Sequence, residues 1–412
     1  MIGITNAKRP EQFKGLKFTA EEANSQISYS ISNYGSGEEP NIQYSYTGKT
    51  WEILPAGSTI TLSNIGDKVY FKGNNPNGIC TGVDMDVTSE LHFVMSGTIA
   101  ASGNINSLLD NADGSQLPNN EIPNDYCFYN LFYQCASLTT PPDLPATTLK
   151  PACYRNLFRD CINLTVAPEL PALTVRGIAY LAMFDGCSSL TVAPALPGTS
   201  VSSRSYQQMF RNCTSLVTPP STINATSFGY YTCAFMFNGC TALTSVPTFT
   251  VSDITSTYAF AKMFLDCSSI TDVSNISLAS TTLTNYCYSE MFENCISLTT
   301  VMSTLPAVTS AQYCYNHMFK NCQNITTAPE IFIAGTIANY ALVEMFAYCH
   351  SLSYIKVHWT RAMTPNQAGY IYFQNWVLSV ASSGDFYYNP SGAIYYGPSS
   401  VPDGWTVHNF SN

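Results

Sequence analysis

The chain has 412 residues, of which 45% are hydrophobic and only 11% charged, against about 25% charged in an average soluble domain. No run of about 18 apolar residues occurs, which excludes a membrane span. The 27 acidic and 17 basic residues leave a net charge of -10, the wrong sign for neutralising phosphates, so nucleic acid is excluded as a partner.

The first ten residues, Met1 to Pro10, hold neither the apolar region nor the small-residue cleavage site of a secretory signal, and no lipid-acceptor cysteine. They predict a protein made without an export signal. Residues 1–100 read as an N-terminal β domain for docking or attachment. Alternation in Ile27-Ser-Tyr29-Ser-Ile31, Ile42-Gln-Tyr44-Ser-Tyr46, Ile60-Thr-Leu62 and Val69-Tyr-Phe71, punctuated by Gly35, Gly48, Gly57, Gly66 and Gly73, predicts a small all-β, sandwich-like unit. Residues 101–125 read as a connector that also caps the array following it.

From 126 to 352 a Met/Leu-Phe-x-x-Cys-x-x-Leu/Ile unit recurs nine times. Its phenylalanines are Phe132, Phe158, Phe184, Phe210, Phe237, Phe264, Phe292, Phe319 and Phe346, spaced by 26 to 28 residues. Each is followed by a cysteine three residues on: Cys135, Cys161, Cys187, Cys213, Cys240, Cys267, Cys295, Cys322 and Cys349. Leu138, Leu164, Leu190, Leu216, Leu243, Ile270, Leu298, Ile325 and Leu352 complete the unit. Within one repeat, Cys127, Leu131, Phe132 and Cys135 fall at i, i+4, i+5 and i+8, which predicts a short helix. The proline-rich segment after it, such as Leu138 to Pro145, predicts a strand of three or four residues.

The expected fold is therefore α+β: a leucine-rich-repeat solenoid of nine repeats, each with a short strand and a short helix, preceded by the β domain. Residues 353–412, with Trp359, Trp376, Tyr387, Tyr388, Tyr395, Tyr396 and Trp405, read as an aromatic-rich C-terminal cap. The cysteines come once per repeat, without paired C-x-x-C or histidine spacing. They are expected to be buried, reduced thiols, neither metal ligands nor disulfides. Cys127, Cys153, Cys287 and Cys314, five residues before their phenylalanines, are expected to face the core too.

Repeats such as Met291-Phe-Glu-Asn-Cys-Ile-Ser-Leu298 resemble the BspA-like leucine-rich repeats of bacterial surface proteins, in the variant with L-P-A between units, as at Leu144-Pro-Ala146 and Leu170-Pro-Ala172. The flanks Tyr44 to Trp51, Ile371 to Trp376 and Val401 to Val407 resemble those attached to this variant. The resemblance implies surface recognition and adhesion, and similar proteins also occur in bacteriophages of gut anaerobes.

No motif for catalysis or a cofactor is found. The histidines His92, His317, His350, His358 and His408 lie in unrelated contexts, and P-loop, nucleophile-elbow and H-E-x-x-H motifs are absent. Asp160, Asp185, Asp266 and Glu293 are expected to face water or cap helices, His317 to face solvent, and Asp110 to Gly114 is a weak echo of a calcium loop. Between the ladder positions stand Ser, Thr, Asn, Gln and Tyr, as in Thr281 to Tyr286, a neutral surface that either suits sugars or polar protein surfaces or simply keeps a low-charge surface soluble. The sequence predicts a non-enzymatic recognition protein, foremost a bacteriophage virion component: a fibre, decoration or receptor-binding protein. It would attach through the N-terminal domain and bind a bacterial surface or glycan through the repeats. The alternative is a bacterial cell-surface adhesin for host glycans or proteins.

Overall fold

A computed structural model describes residues 13–32, 39–83, 86–109, 120–225, 227–249, 254, 256–333, 337–359, 371–388 and 394–410. Alternating burial along the first strands builds two sheets from β1 (Lys17–Ala20), β2 (Ser25–Ser32), β3 (Ile42–Ser45), β4 (Glu52–Ile53), β5 (Ile60–Leu62), β6 (Lys68–Gly73), β7 (Thr81–Val83), β8 (Asp86–Ser96) and β9 (Ile99–Ser102). One sheet has the order β5-β2-β8-β7. The other runs β9-β1-β6-β3-β4 and gains β10 (Leu138–Thr140), a strand of the first repeat, parallel to β9. Phe18, Phe71 and Phe93 meet edge to face between the sheets, with ring centroids 5.3 to 5.5 Å apart, a favoured aromatic arrangement.

The α+β expectation, with a helix in every repeat, is overturned. The sole helical element among the described residues is a four-residue 3-10 turn, Ile105–Leu108. Where the helix was expected, alternate N–H groups leave the segment: Phe128 donates to the carbonyl of Cys153 (3.0 Å), Asn130 to Arg155 (3.2 Å) and Phe132 to Leu157 (3.0 Å), all in the next repeat. The residues between close tight turns, Tyr129 donating to Tyr126 (2.9 Å), Leu131 to Phe128 (3.3 Å) and Tyr133 to Asn130 (2.8 Å). An α-helix would instead bond each N–H to the residue four back. Every fourth residue is left-handed, with φ of 60° at Tyr126, 55° at Asn130 and 60° at Gln134.

A chain of four-residue turns places i, i+4 and i+8 on one side, as a helix does, so the apolar pattern was satisfied by both. The left-handed position two residues after each phenylalanine holds Asp160, Gly186, Asn212, Gly239, Asp266, Asn294 and Asn321 in seven of the nine repeats, the residue types that tolerate positive φ.

The strand after the first turn segment, β10, has the three residues expected, and those of later repeats are shorter. β11 (Thr174–Val175) pairs with β12 (Ser200–Val201), and β13 (Thr304–Leu305) with β14 (Glu330–Ile331), in two-stranded parallel sheets. At the far end β15 (Tyr354–Lys356), β16 (Asp385–Tyr387) and β17 (Thr406–His408) form a parallel sheet of three.

The core is continuous from end to end. Each ladder phenylalanine from Phe132 to Phe346 is fully buried and stacks on the next at 5.4 to 5.7 Å. The stack starts on Phe93 of β8, 5.5 Å from Phe132, and ends under Trp376, 6.0 Å from Phe346. Trp376 is buried and its indole N–H donates to the carbonyl of Ser400 at 2.7 Å. No helix of the described residues is long and apolar enough to cross a membrane.

Candidate recognition surface

The turn segment buries one side and leaves the other partly exposed. In the seventh repeat Cys287, Tyr288, Met291, Phe292 and Cys295 are buried, while Glu290, Glu293 and Asn294 are half-buried on the outside. Stacking the repeats turns each outward position into a column of side chains. One such column, six residues before the ladder phenylalanine, holds Tyr231, Tyr258, Tyr286, Tyr313 and Tyr340.

These five half-buried rings stack at 4.5, 4.4, 4.5 and 4.6 Å, with interplanar angles of 11° or less. Their faces cover one another, which leaves the ring edges outward, and neighbouring phenol groups hydrogen-bond along the row. Arg204, in the same column one repeat earlier, lies over the rings of Tyr230 and Tyr231 at 5.1 and 5.4 Å and closes that end of the row. Burial against each other, and then the charge a neighbouring phenolate would carry, push the phenols of Tyr231, Tyr258, Tyr286 and Tyr313 above their ordinary value. The row is uncharged near neutral pH. The spacing arithmetic that found the ladder would have found this row one position before the cysteines at i-5.

Beside it runs a charged column. Lys262 pairs with Glu290 at 3.0 Å, and Lys320 with Glu344 at 2.8 Å and Glu293 at 3.6 Å. His317, expected to face solvent, stands between Glu293 (3.6 Å) and Glu344 (3.4 Å). Burial would raise the Glu344 carboxyl, but the hydrogen bond and charge of Lys320 hold it below its usual value. Glu290, Glu293 and His317 bring three potential ligand atoms within 4.8 Å of one another. Lys262 and Lys320 already balance much of that charge, and the group reads as an ion-pair network.

The other carboxylates singled out from the sequence are also engaged. Asp185 is 2% exposed and takes a two-pronged contact from Arg211, at 3.0 and 2.6 Å, with Arg159 at 3.4 Å. Asp266 accepts from the Asn294 side chain at 2.7 Å, and Asp160 lies 3.7 Å from Arg159 with its carboxyl raised by burial. The segment Asp110 to Gly114 lies outside the described residues. The ladder cysteines are free and buried, and desolvation pushes the Cys135 thiol from 9.0 to about 12.

Ser30, His92 and Glu90 form a serine-histidine-acid set across β2 and β8, with 2.9 Å from Ser30 Oγ to His92 Nε2 and 3.6 Å from His92 Nδ1 to Glu90. Ser30 Oγ also lies 3.3 Å from Nδ1. The hydroxyl therefore sits beside the ring, off the line a general base needs to take its proton.

No protein-family model matches the chain, and no curated protein matches it. Among solved structures it is weakly similar to a leucine-rich repeat protein from Bacteroides ovatus ATCC 8483, with 13% identity, a TM-score of 0.19, and coverage of 63% of this chain and 81% of that one. The finer resemblance to BspA-like repeats has no counterpart in these comparisons.

Proposed function

We propose that the chain is a non-enzymatic recognition and adhesion protein that holds a polar, largely uncharged surface ligand, such as a glycan coat, against the outward columns of its repeats. The observation that carries this reading is the row from Tyr231 to Tyr340. Five aromatic rings are kept half-exposed in register on a chain whose charged content is only 11%. Such a row offers apolar edges with a hydroxyl on each, at little desolvation cost. Thiols buried throughout, together with a misaligned Ser30-His92 contact, support the non-enzymatic part.

We place the protein on a bacteriophage particle, attached through its β-sheet end, because its repeats resemble BspA-like repeats that also occur in phages. Mass spectrometry of gradient-purified particles, alongside the outer-membrane fraction of uninfected cells, tests the placement. Peptides in particles are expected. Peptides confined to the membrane fraction would overturn it and make the protein a bacterial adhesin. Binding of the purified chain to intact bacteria, with and without the Tyr286→Ala change, tests the recognition surface itself.

A further inference from the structure

A second concave site lies on the β domain, away from the repeats. A groove of about 420 Å³ is lined by Tyr46, Thr61, Leu62, Gly66, Asp67, Lys68 and Tyr70. It forms where the chain crosses from β5 in one sheet to β6 in the other, through the turn at Gly66 and Asp67. Gly66 has φ of 87°, and a Cβ there would meet open space.

Two rings flank the groove. Tyr46 is 56% exposed and touches Tyr44 edge to face at 5.7 Å, while Tyr70, half-buried, is held edge to face by Phe13 at 5.8 Å. Between them stand groups of opposite charge. Asp67, in the groove's lining, has its Oδ2 held by the backbone N–H of Asn64 at 2.9 Å, which fixes the carboxylate. Lys68 is exposed and makes no ion pair with Asp67 or any other described residue. The Thr61 hydroxyl is exposed as well.

This set fits a particular ligand chemistry. An anion would meet Asp67 and a simple cation would meet Lys68, so a neutral molecule suits both. A rigid acceptor, a donor and a hydroxyl call for several hydroxyls on the ligand, and charge-assisted hydrogen bonds to them are the strong kind. An exposed ring calls for an apolar face on the same molecule. A sugar ring has both, and the volume falls within the range of small-ligand sites, about 300 to 1,000 Å³. We propose that this groove is a binding site for a neutral sugar, one or two residues long, with its C–H face on Tyr46 and its hydroxyls on Asp67 and Lys68. The proposal does not depend on the tyrosine row of the repeats.

Saturation-transfer NMR on the full chain with D-glucose, D-galactose, D-mannose and N-acetyl-D-glucosamine tests it. Transfer to the ring C–H protons of at least one sugar is expected. Tyr46→Ala should lower it about fivefold through the lost ring, and Asp67→Asn about tenfold through the lost charged acceptor. All variants are compared in a Tyr286→Ala background, which removes the contribution of the repeat surface, so the transfer that Tyr46→Ala removes there belongs to this groove. Tyr46 is exposed, so its replacement should leave the thermal midpoint in place, and the Tyr46→Ala result stands even if Asp67→Asn disturbs the turn. Absence of transfer from all four sugars overturns the proposal, as does transfer that survives Tyr46→Ala. Transfer seen with free phenylalanine and with none of the sugars would also overturn it, making the groove a zwitterion site.

Discussion

The thiol of Cys187 donates a 3.0 Å hydrogen bond to the carbonyl oxygen of Phe158, the ladder phenylalanine of the repeat before it. The same oxygen accepts the N–H of Cys161 at 3.1 Å, so both of its lone pairs are used. The relationship repeats from Cys161 on Phe132 at 2.9 Å to Cys349 on Phe319 at 3.0 Å. The first cysteine, Cys135, donates to Phe93 of the β domain at 3.2 Å. This explains why the column is cysteine where alanine or valine would also fill space: only the thiol brings a donor to a carbonyl that would otherwise lack its second partner.

The thiols make stability depend on alkaline pH. Burial raises Cys135 and Cys80 from 9.0 to about 12. The unfolded chain ionises its thiols near pH 9, while the folded chain keeps these protons until about pH 12. Protons are therefore released on unfolding in this window, and the stability present below pH 9 is lost as pH rises toward 12. Urea midpoints measured from pH 7.5 to 10.5 should hold steady and then fall. A flat profile would mean that the thiols are not buried together.

Asn212 distinguishes turn from helix. Its φ is 59°, and the same position one repeat before and one after is Gly186 and Gly239, with φ of 77° and 76°. In a helix Asn212→Gly would cost a few tenths to about 1 kcal/mol. In the left-handed turn it removes a steric penalty of about 1 to 2 kcal/mol, offset in part by the freer unfolded chain. The change should leave the unfolding midpoint the same or slightly higher, and a clear drop would restore the helix.

Phe237 stacks on Phe210 and Phe264, each at 5.4 Å, in the middle of the core. Phe237→Ala should cost about 3 to 5 kcal/mol through the cavity it leaves, and hydrogen exchange should speed up in the repeats on both sides. A midpoint that hardly moves would remove this ring from the core.

Legibility followed the kind of signal. The recurrence of Phe132 to Phe346 is a covalent period and needs no structure to be seen. The conformation of one period was not readable from Cys127, Leu131 and Cys135, because a face that returns every fourth residue serves a helix and a run of tight turns equally. The discriminating signal lay at Asp160, Gly186, Asn212, Gly239 and Asn321, a column of residues that tolerate positive φ and serve a helix interior poorly. The pairing of His317 with Glu293 and Glu344 joins three repeats, and its members share no motif. The stacking of Phe93 on Phe132, which joins the β domain to the repeats, leaves no mark in either segment alone.

Tyr286 is the centre of the outward row, 4.4 Å from Tyr258 and 4.5 Å from Tyr313. Tyr286→Ala removes two stacking contacts and should cost about 1 to 3 kcal/mol. It should also weaken adsorption of the purified chain to bacteria about tenfold, as loss of an aromatic anchor does. Tyr286→Phe separates the two effects. It keeps both stacks, so the thermal midpoint should stay within about 1 °C, while loss of the hydroxyl should weaken adsorption about threefold to tenfold. If Tyr286→Phe adsorbs like the wild type and Tyr286→Ala does not, the ring edges make the contact and the hydroxyls do not. If neither change alters adsorption while the fold is intact, the tyrosine row is a structural seam and the ligand sits elsewhere.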